Sequence, residues 1–365
     1  MTEEGPRSPL HDVQVAAGAE FIWEDGWPWA MRVGDDPLAE YEAIRTATGI
    51  WDLFSTCKYE VRGPDAAQLI QRRFTNDLAD VAPGQVRYGA FVNADGLMVD
   101  DGNVYKHADD RFWVMINTAD LEDWFRDTAD GLDAAIEHRT AELPMISVQG
   151  PTSRELLQGL TDADLSELRY FRFWPDPVKV AGVPATVLRT GFSGELGFEL
   201  VTDLGSVVPL WEALAAAGGK PFGLEAIDLA RIEAGLIIIA LDYQPAETSP
   251  YDVSLDRFVK PGTECVGGEA LATVGANPPR RLMTLEIGSE VAPEAGATVL
   301  KDGERVGEVT SPAITPRFGT IALAVVSADV AVEEVVVDVA VGDDVAPATV
   351  QPLSIYDPEK QRPRA

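Results

Sequence analysis

Histidine and cysteine are scarce in this chain of 365 residues. The three histidines are His11, His107 and His138, and the two cysteines are Cys57 and Cys265, which form no Cys-x-x-Cys pair. Zinc sites, disulfide frameworks and Ser/His/Asp triads need more of these residues, or closer spacings, than the chain offers. We therefore predict neither a metal site nor a triad.

Positive charge is also scarce, with 29 Lys and Arg residues against 60 Asp and Glu residues and a formal net charge of −31. Nucleic acids and anionic membranes need basic surface, so we expect neither as a partner. An anionic ligand would need a local basic or backbone-donor pocket. No apolar run approaches the ~18 residues of a membrane span, and the N-terminus has no apolar signal core. These absences predict a soluble, cytoplasmic protein.

Hydrophobic residues make up 46% of the chain, enough for a sizeable core, and at ~100–200 residues per domain the length predicts two or three domains. Strand-like and helix-like segments alternate to about residue 240, which indicates a mixed α/β region, and one predicted helix spans 117–131. After residue 276 the pattern changes to short strands at 282–287, 297–300, 306–310, 320–326 and 335–341. This pattern predicts a small all-β barrel or sandwich.

The stretch from residue 88 to residue 105 carries two adjacent carboxylates, Asp100 and Asp101. Residues 88–96 alternate like a strand and run into a Gly-containing turn, so we predict a β-hairpin with the acidic pair just beyond its turn. Successive strand residues face opposite sides of a sheet. One carboxylate can therefore face solvent while the other faces the interior, where it needs a partner. The alternative is a polar loop in a very acidic protein.

Further segments combine Gly-rich turns with charged and aromatic residues. They are Arg-Thr-Gly-Phe-Ser-Gly-Glu at 189–195, Arg-Ile-Glu-Ala-Gly at 231–235 and Glu-Thr-Ser-Pro at 247–250. Together with Gly-Leu-Met-Val-Asp-Asp at 96–101 and Val-Gln-Gly-Pro at 148–151, these segments resemble the glycine-cleavage T-protein family, the tetrahydrofolate-dependent aminomethyltransferases and demethylases. The resemblance runs from residue 8 to residue 359.

The resemblance implies an α+β fold, a three-domain ring of the T-protein type with a C-terminal small β-barrel and with tetrahydrofolate bound in a central channel. We assign residues 1–50 and 143–276 to a discontinuous folate-binding α/β domain. Residues 51–142 are assigned to an α+β domain that carries the Asp100–Asp101 hairpin, and residues 277–365 to the barrel domain.

The resemblance also implies roles for five residues. Asp101 is the catalytic carboxylate, and Glu199 is the acid that accepts hydrogen bonds from adjacent N–H donors of the pterin. Phe192 matches the family's aromatic residue against the pterin, Tyr88 matches another folate contact, and Asn117 lies near the same site. A buried carboxylate would stabilise positive charge on the one-carbon donor and relay a proton. An exposed strand position for Glu199, and core packing for Phe192 and Tyr88, are the alternatives.

The chain departs from the family pattern in several places. Ile227 stands where the glycine-cleavage enzymes have an arginine, residues 52–57 lack the family's histidine, and residues 236–240 are purely aliphatic. Four aromatic residues could line an apolar or cation–π pocket for a different donor, or could fill the core of the N-terminal region: Trp27, Trp29, Trp51 and Phe54. These departures argue against a lipoyl carrier protein as a partner.

We therefore predict a tetrahydrofolate-dependent one-carbon transferase, a methyltransferase or demethylase, that acts on a small-molecule donor and gives methyl- or methylene-tetrahydrofolate. The first alternative is a glycine-cleavage aminomethyltransferase, which receives its carbon from a lipoyl carrier protein and releases ammonia. The second is a non-catalytic folate-binding protein of iron–sulfur maintenance. Residues 260–269 stand at the Lys-Gly-Cys-Tyr-x-Gly-Gln-Glu signature of those relatives, but lack its aromatic residue and glutamine.

Overall fold

The computed structural model describes residues 6–24 and 26–365. The first elements, numbered in chain order, are α1 (His11–Ala16), β1 (Ala19–Glu24), β2 (Trp27–Val33) and α2 (Pro37–Thr46). Strands β1 and β2 form an antiparallel ribbon. Helix α2 begins after Asp36, whose carboxylate accepts hydrogen bonds from the amides of Leu38 and Ala39. These bonds satisfy two amides that have no partner within the helix.

A six-stranded sheet follows the ribbon. Its strands are β3 (Gly49–Asp52), β9 (Met145–Gln149), β10 (Val178–Val180), β11 (Val183–Leu188), β12 (Gly197–Val201) and β13 (Lys220–Pro221). The strand order is β10-β11-β12-β9-β3-β13, and only the pair β3–β13 is parallel. Associated helices are α5 (Ser153–Gln158), α6 (Val207–Ala216) and α7 (Leu224–Glu233). Every residue of β9 and β12 is buried, so both faces of the sheet are covered there.

A second, five-stranded sheet carries the acidic pair. Its elements are β4 (Cys57–Arg62), α3 (Ala66–Gln71), β5 (Val86–Val92), β6 (Met98–Ala108), β7 (Arg111–Ile116), α4 (Glu122–Arg126) and β8 (Ala135–His138). The strand order is β5-β6-β7-β4-β8, with antiparallel neighbours throughout. Strands β5 and β6 are the predicted hairpin, which is confirmed. Its core contains the fully buried rings of Tyr59, Phe74, Phe91 and Phe112.

The C-terminal part of the chain forms a closed barrel. Its strands are β14 (Arg280–Ile287), β15 (Thr298–Lys301), β16 (Glu304–Thr315), β17 (Gly319–Ser327), β18 (Val336–Val341) and β19 (Asp344–Gln351). Small and branched side chains such as Leu285, Val299, Ala324 and Val339 fill its interior. The prediction of a small barrel is confirmed, although β19 was not among the predicted strands.

Short elements join these parts. Helix α8 (Gly268–Gly275) precedes the barrel, and single-turn 3₁₀ helices lie at Thr140–Glu142, Leu165–Glu167 and Asp256–Phe258. The three-domain division stays a proposal. Its boundary after residue 50 falls within β3, whose four residues all pair with β9. Within the described ranges, no helix has the length and apolar character needed to cross a membrane.

Candidate active site

The β5–β6 hairpin buries both members of the acidic pair. Asp101 pairs with Ala90 across the hairpin, and Asp100 pairs with Phe91. Asp100 has no exposed surface, and Asp101 is 7% exposed. The expectation that one carboxylate faces solvent is therefore wrong, because other parts of the chain cover both sides of the hairpin at this point.

Asp100 holds the end of strand β7 against the hairpin. Its Oδ2 accepts hydrogen bonds from the amides of Asn117 at 3.1 Å and Thr118 at 2.7 Å. Its Oδ1 accepts from Nδ2 of Asn117 at 2.8 Å and from the amide of Asp101 at 2.7 Å. Burial raises the pKa of Asp100, and these hydrogen bonds oppose the rise. Nδ2 of Asn117 also donates to the backbone carbonyl of Asp101 at 3.2 Å and reaches its Oδ1 at 3.5 Å, so Asn117 contacts both members of the acidic pair.

Asp101 lies between two tyrosine hydroxyl groups. Tyr88 donates to Oδ2 at 2.7 Å, and Tyr243 donates to Oδ1 at 2.6 Å. Burial and the neighbouring charge of Asp100 raise the pKa of Asp101 to about 7, while the two tyrosine hydrogen bonds oppose the rise. A carboxyl group with a pKa near neutral can both accept and donate a proton. Tyr243 was not predicted, since it lies in a loop after α7 and no local motif marks it.

Glu199 lies inside the six-stranded sheet, on β12. It is 8% exposed, and its Oε2 accepts a hydrogen bond from the hydroxyl of Thr190 at 2.5 Å. Burial raises the pKa of Glu199, whereas Thr190 and the charge of Lys58 oppose the rise. The alternative of an exposed strand carboxylate is therefore excluded by its burial.

Lys58 is a buried cation that the sequence did not single out. Its Nζ donates to the carbonyl groups of Leu53 at 3.0 Å, Phe54 at 3.2 Å and Thr56 at 2.7 Å. Burial lowers the pKa of Lys58 to about 8, and the negative charges of neighbouring groups, including Glu199, oppose the fall. The three carbonyl groups fix this cation in place, so it favours an ionised Glu199.

The donor and acceptor groups of the site fit a reduced pterin. A carboxylate can accept about four hydrogen bonds. Thr190 donates one of them to Glu199, so Glu199 can still accept hydrogen bonds from the adjacent N–H groups of a pterin. Phe192 is half-buried and packs against the apolar cluster that contains Trp51 and Tyr105. The folate roles of Glu199, Phe192, Tyr88 and Asn117 are taken up in the proposal below.

The four predicted pocket aromatics pack as two pairs. The rings of Trp27 and Phe54 meet at 5.7 Å. Those of Trp29 and Trp51 meet at 5.9 Å, and Trp51 also contacts Phe222 at 5.7 Å. Trp51 and Phe54 are 5% and 2% exposed, respectively. This packing favours the core-filling alternative, and a donor pocket at these residues stays a prediction.

The family models match almost the whole chain. The model described as the GCVT N-terminal domain covers residues 10–263, and the glycine cleavage T-protein C-terminal barrel domain covers residues 280–357. The chain therefore belongs to the glycine-cleavage T-protein family, whose members are tetrahydrofolate-dependent one-carbon transferases. The predictions of this family and of tetrahydrofolate as its cofactor are confirmed.

Individual relatives carry a more specific name. The chain is 37% identical to an aminomethyltransferase of Streptomyces avermitilis over 343 residues, 90% of this chain and 91% of the relative. It is 33% identical to an aminomethyltransferase of Thermotoga maritima over 332 residues, 89% of this chain and 90% of the relative. The solved structure of the glycine cleavage system aminomethyltransferase T from Bartonella henselae matches with a TM-score of 0.87 at 24% identity, over 96% of this chain and 98% of that one. This match confirms the α+β, T-protein fold with its C-terminal barrel.

The prediction that disfavoured a lipoyl carrier protein as a partner is wrong. The relatives with 33–37% identity over about 90% of the chain are aminomethyltransferases, so they favour the first alternative over a small-molecule donor. The physical reason for the error lies at Ile227. This residue is 1% exposed and packs in the apolar cluster with Tyr41, Trp51 and Phe222. Its aliphatic side chain therefore fills the core and does not indicate a different donor.

Tetrahydrofolate binding should depend on the charge of Glu199. Glu199→Gln replaces an acceptor by an amide donor that faces the pterin N–H groups. An unsatisfied buried donor costs ~1–3 kcal/mol, so we expect titration calorimetry to show at least several-fold weaker binding. Glu137→Gln, at an exposed strand position on β8, is the matched control and should bind like the parent. Equal affinity of the two variants for tetrahydrofolate would show that Glu199 does not bind the pterin.

The pH–rate profile should respond to Asp100. Asp100→Asn removes the negative charge that raises the pKa of Asp101, so the limb of the profile that reports Asp101 should move to lower pH. The other groups that act on the pKa of Asp101 are Tyr88, Tyr243 and Asp242, and they are unchanged in this variant. The pKa of Asp101 should therefore fall. An unshifted limb, measured from kcat between pH 5 and 9, would show that the observed ionisation is not that of Asp101.

Proposed function

We propose that this protein is an aminomethyltransferase of the glycine-cleavage type. In this reaction a lipoyl carrier protein presents an S-aminomethyl group, and its carbon passes to tetrahydrofolate. The C–S and C–N bonds of that group break, two C–N bonds to the folate form, and ammonia and the carrier thiol are released. The observation that carries the proposal is Asp101, a buried carboxyl group with a pKa of about 7 held between Tyr88 and Tyr243.

Asp101 stabilises positive charge at the reacting carbon and transfers a proton to the leaving group. Positive charge develops there as the aminomethyl group loses ammonia, and a carboxylate in a water-poor site stabilises that charge strongly. Its pKa also suits the transfer of a proton to the leaving nitrogen. Tyr88 and Tyr243 keep both carboxylate oxygens in fixed positions, which avoids reorganisation during the step. Asn117 positions the acidic pair, since its Nδ2 donates to Asp100 and to the backbone carbonyl of Asp101.

Glu199 and Phe192 orient the pterin. Glu199 accepts hydrogen bonds from the adjacent N–H groups of the ring. The charge of Lys58 favours the ionised carboxylate that this role requires. Phe192 supplies an aromatic surface beside it. Tetrahydrofolate, when bound, supplies the nitrogen nucleophiles of the reaction. The names of the relatives support this reaction over methyl transfer or demethylation of a small molecule. A cytoplasmic location stays a prediction from the sequence.

The test compares carbon donors. Purified protein with tetrahydrofolate should release ammonia from aminomethylated lipoyl carrier protein at ~1 s⁻¹ or faster, a rate typical of enzymes. Methylated amines, methoxy-aromatic compounds and sulfonium compounds should give no methyl-tetrahydrofolate under the same conditions. The same reaction without tetrahydrofolate is the negative control. Methyl-tetrahydrofolate from a small donor, with no ammonia from the carrier, would overturn the proposal, and folate binding without turnover of any donor would also do so.

A further inference from the structure

Two neighbouring hydroxyl groups of the barrel bind one buried carboxylate of the loop after α7. Oδ1 of Asp242 accepts hydrogen bonds from Thr310 at 2.6 Å and from Ser311 at 2.7 Å. Both donors belong to strand β16, and Asp242 is 2% exposed. The barrel is therefore joined to the loop after α7 by a buried polar contact.

A β-bulge in β16 brings both hydroxyl groups to the same carboxylate. Successive strand residues normally face opposite sides of a sheet. Val309 and Ser311 lie opposite two consecutive residues of β17, so Thr310 is an extra residue between them. Bulges redirect side chains and are frequent beside active sites. This bulge allows Thr310 and Ser311 to point together at Asp242.

Arg231 completes the polar cluster from helix α7. This fully buried residue donates from Nη1 to Oδ2 of Asp242 at 2.5 Å and from Nη2 to the hydroxyl group of Ser311 at 2.7 Å. Oδ2 of Asp242 also accepts a hydrogen bond from the amide of Ile238 at 2.9 Å. A buried ion pair is stable when further hydrogen bonds satisfy its partners, as they do here. Both carboxylate oxygens of Asp242 therefore hold the loop in place.

Tyr243 follows Asp242 directly and contacts the active site. Its hydroxyl group donates to Oδ1 of Asp101 at 2.6 Å, and its carbonyl accepts a hydrogen bond from the amide of Ala240 at 2.8 Å. Because Asp242 and Tyr243 share a peptide bond, the contacts that fix Asp242 also restrict the position of the Tyr243 hydroxyl group. A continuous series of contacts thus connects the barrel with the catalytic carboxyl group.

We propose that Thr310 and Ser311 of the barrel are positioning residues for the catalytic carboxyl group. They act through Asp242, which holds the neighbouring Tyr243 against Asp101. The inference rests on the function proposed above, in which Asp101 acts at the reacting carbon. A hydrogen bond weakens steeply when its distance and angle depart from the preferred values. A small displacement of the loop would therefore release one oxygen of the carboxylate.

The ionisation of Asp101 reports this contact. Burial and the charge of Asp100 raise the pKa of Asp101 to about 7. The hydrogen bonds from Tyr243 and Tyr88 oppose the rise, whereas the charge of Asp242 adds to it. The effect of Tyr243 exceeds that of Asp242. Loosening the loop should therefore raise the pKa of Asp101 further.

A ¹³C NMR titration of protein labelled at its aspartate carboxyl carbons tests the proposal without turnover. The Asp101 signal is identified as the one that is missing in Asp101→Asn. In Tyr243→Phe its titration midpoint should rise by about one pH unit, the scale of one hydrogen bond to a charged group. In the double variant Thr310→Val, Ser311→Ala the midpoint should rise by a part of that amount. The corresponding limb of the pH–rate profile should move in the same direction.

Combining the substitutions shows whether the barrel acts through Tyr243. Changes that act through one contact are not additive. Thr310→Val and Ser311→Ala should therefore produce no further rise of the Asp101 midpoint when they are added to Tyr243→Phe. An equal rise with tyrosine and with phenylalanine at position 243 would overturn the inference.

Two further variants are the controls. Thr320→Val removes another buried barrel hydroxyl group, which donates to the carbonyl of Ser289 at 2.6 Å, and should leave the Asp101 midpoint unchanged. Thr310→Ser keeps the hydroxyl group and should keep the midpoint of the parent protein.

An unchanged midpoint in the double barrel variant, or an equal rise in Thr320→Val, would overturn the inference. These outcomes are distinct from a failure of the proposed function, because the titration needs no carbon donor. A shifted midpoint without ammonia release would leave the positioning role intact, whereas ammonia release with an unshifted midpoint would remove only that role.

Discussion

Replacement of Asp101 by asparagine should lower kcat for one-carbon transfer by ~10²-fold or more, the range for loss of an acid/base or electrostatic group. The amide has the shape of the carboxyl group and can still bond to Tyr88 and Tyr243, so the melting temperature should change little. What is lost is the negative charge and the exchangeable proton at a pKa of about 7. Ammonia release and methylene-tetrahydrofolate formation, measured together, report the effect.

The same hairpin offers two controls for this variant. Asp95→Asn changes an exposed aspartate in the hairpin turn and should retain the activity of the parent protein. Asp100→Asn should perturb the pH profile more than the maximal rate. A larger loss of kcat in Asp100→Asn than in Asp101→Asn would mean that the catalytic role has been given to the wrong member of the pair.

The largest stability effect should come from Arg45→Met. Arg45 lies in the last turn of α2, where it is buried and bonds to Glu233 of α7 at 2.7 Å and to Glu195 at 3.1 Å. It also lies over the ring of Tyr356 at 3.8 Å, which connects it to the chain beyond the barrel. Methionine fills a similar volume but leaves two buried carboxylates without their shared cation. Removing one partner of a buried ion pair costs ~3–5 kcal/mol of unfolding free energy.

Arg305→Met is the matched control for this stability measurement. Arg305 pairs with Glu308 on the exposed face of the barrel, where the two side chains are 62% and 48% exposed. An exposed pair contributes ~0–1 kcal/mol, so denaturant unfolding of this variant should stay close to that of the parent protein. If both variants unfold at the same denaturant concentration, the Arg45 cluster does not stabilise the fold in the way its burial indicates.

Local patterns were sufficient to predict the hairpin and the barrel. Alternating residues around Gly96 predict β5 and β6, and repeated short apolar runs after residue 276 predict most barrel strands. The helix predicted over 117–131 is much shorter in the structure, where α4 covers Glu122–Arg126. The cause is distant in sequence, since Asp100 binds the amides of Asn117 and Thr118 and so fixes them outside a helix.

Much of the site could not be predicted because it is assembled by tertiary contacts. Tyr243 meets Asp101 across 142 residues of sequence, and the Lys58 cation is enclosed by backbone carbonyls, which no residue type reveals. The wrong prediction about the lipoyl carrier protein, which relied on Ile227, also arose because the sequence does not show tertiary contacts. A missing arginine indicates a different substrate only if the side chain faces the site, and burial cannot be read from a single substitution. Here Ile227 lies in the apolar core.

Transfer of a labelled carbon tests the central claim most directly. In a single turnover, carrier protein bearing a ¹³C-labelled aminomethyl group is mixed with excess protein and tetrahydrofolate, and the products are followed by ¹³C NMR. The proposed function predicts that the label appears in the methylene bridge of methylene-tetrahydrofolate, with one equivalent of ammonia. Label that stays on the carrier, while calorimetry shows bound tetrahydrofolate, would contradict the assignment of this protein as an aminomethyltransferase.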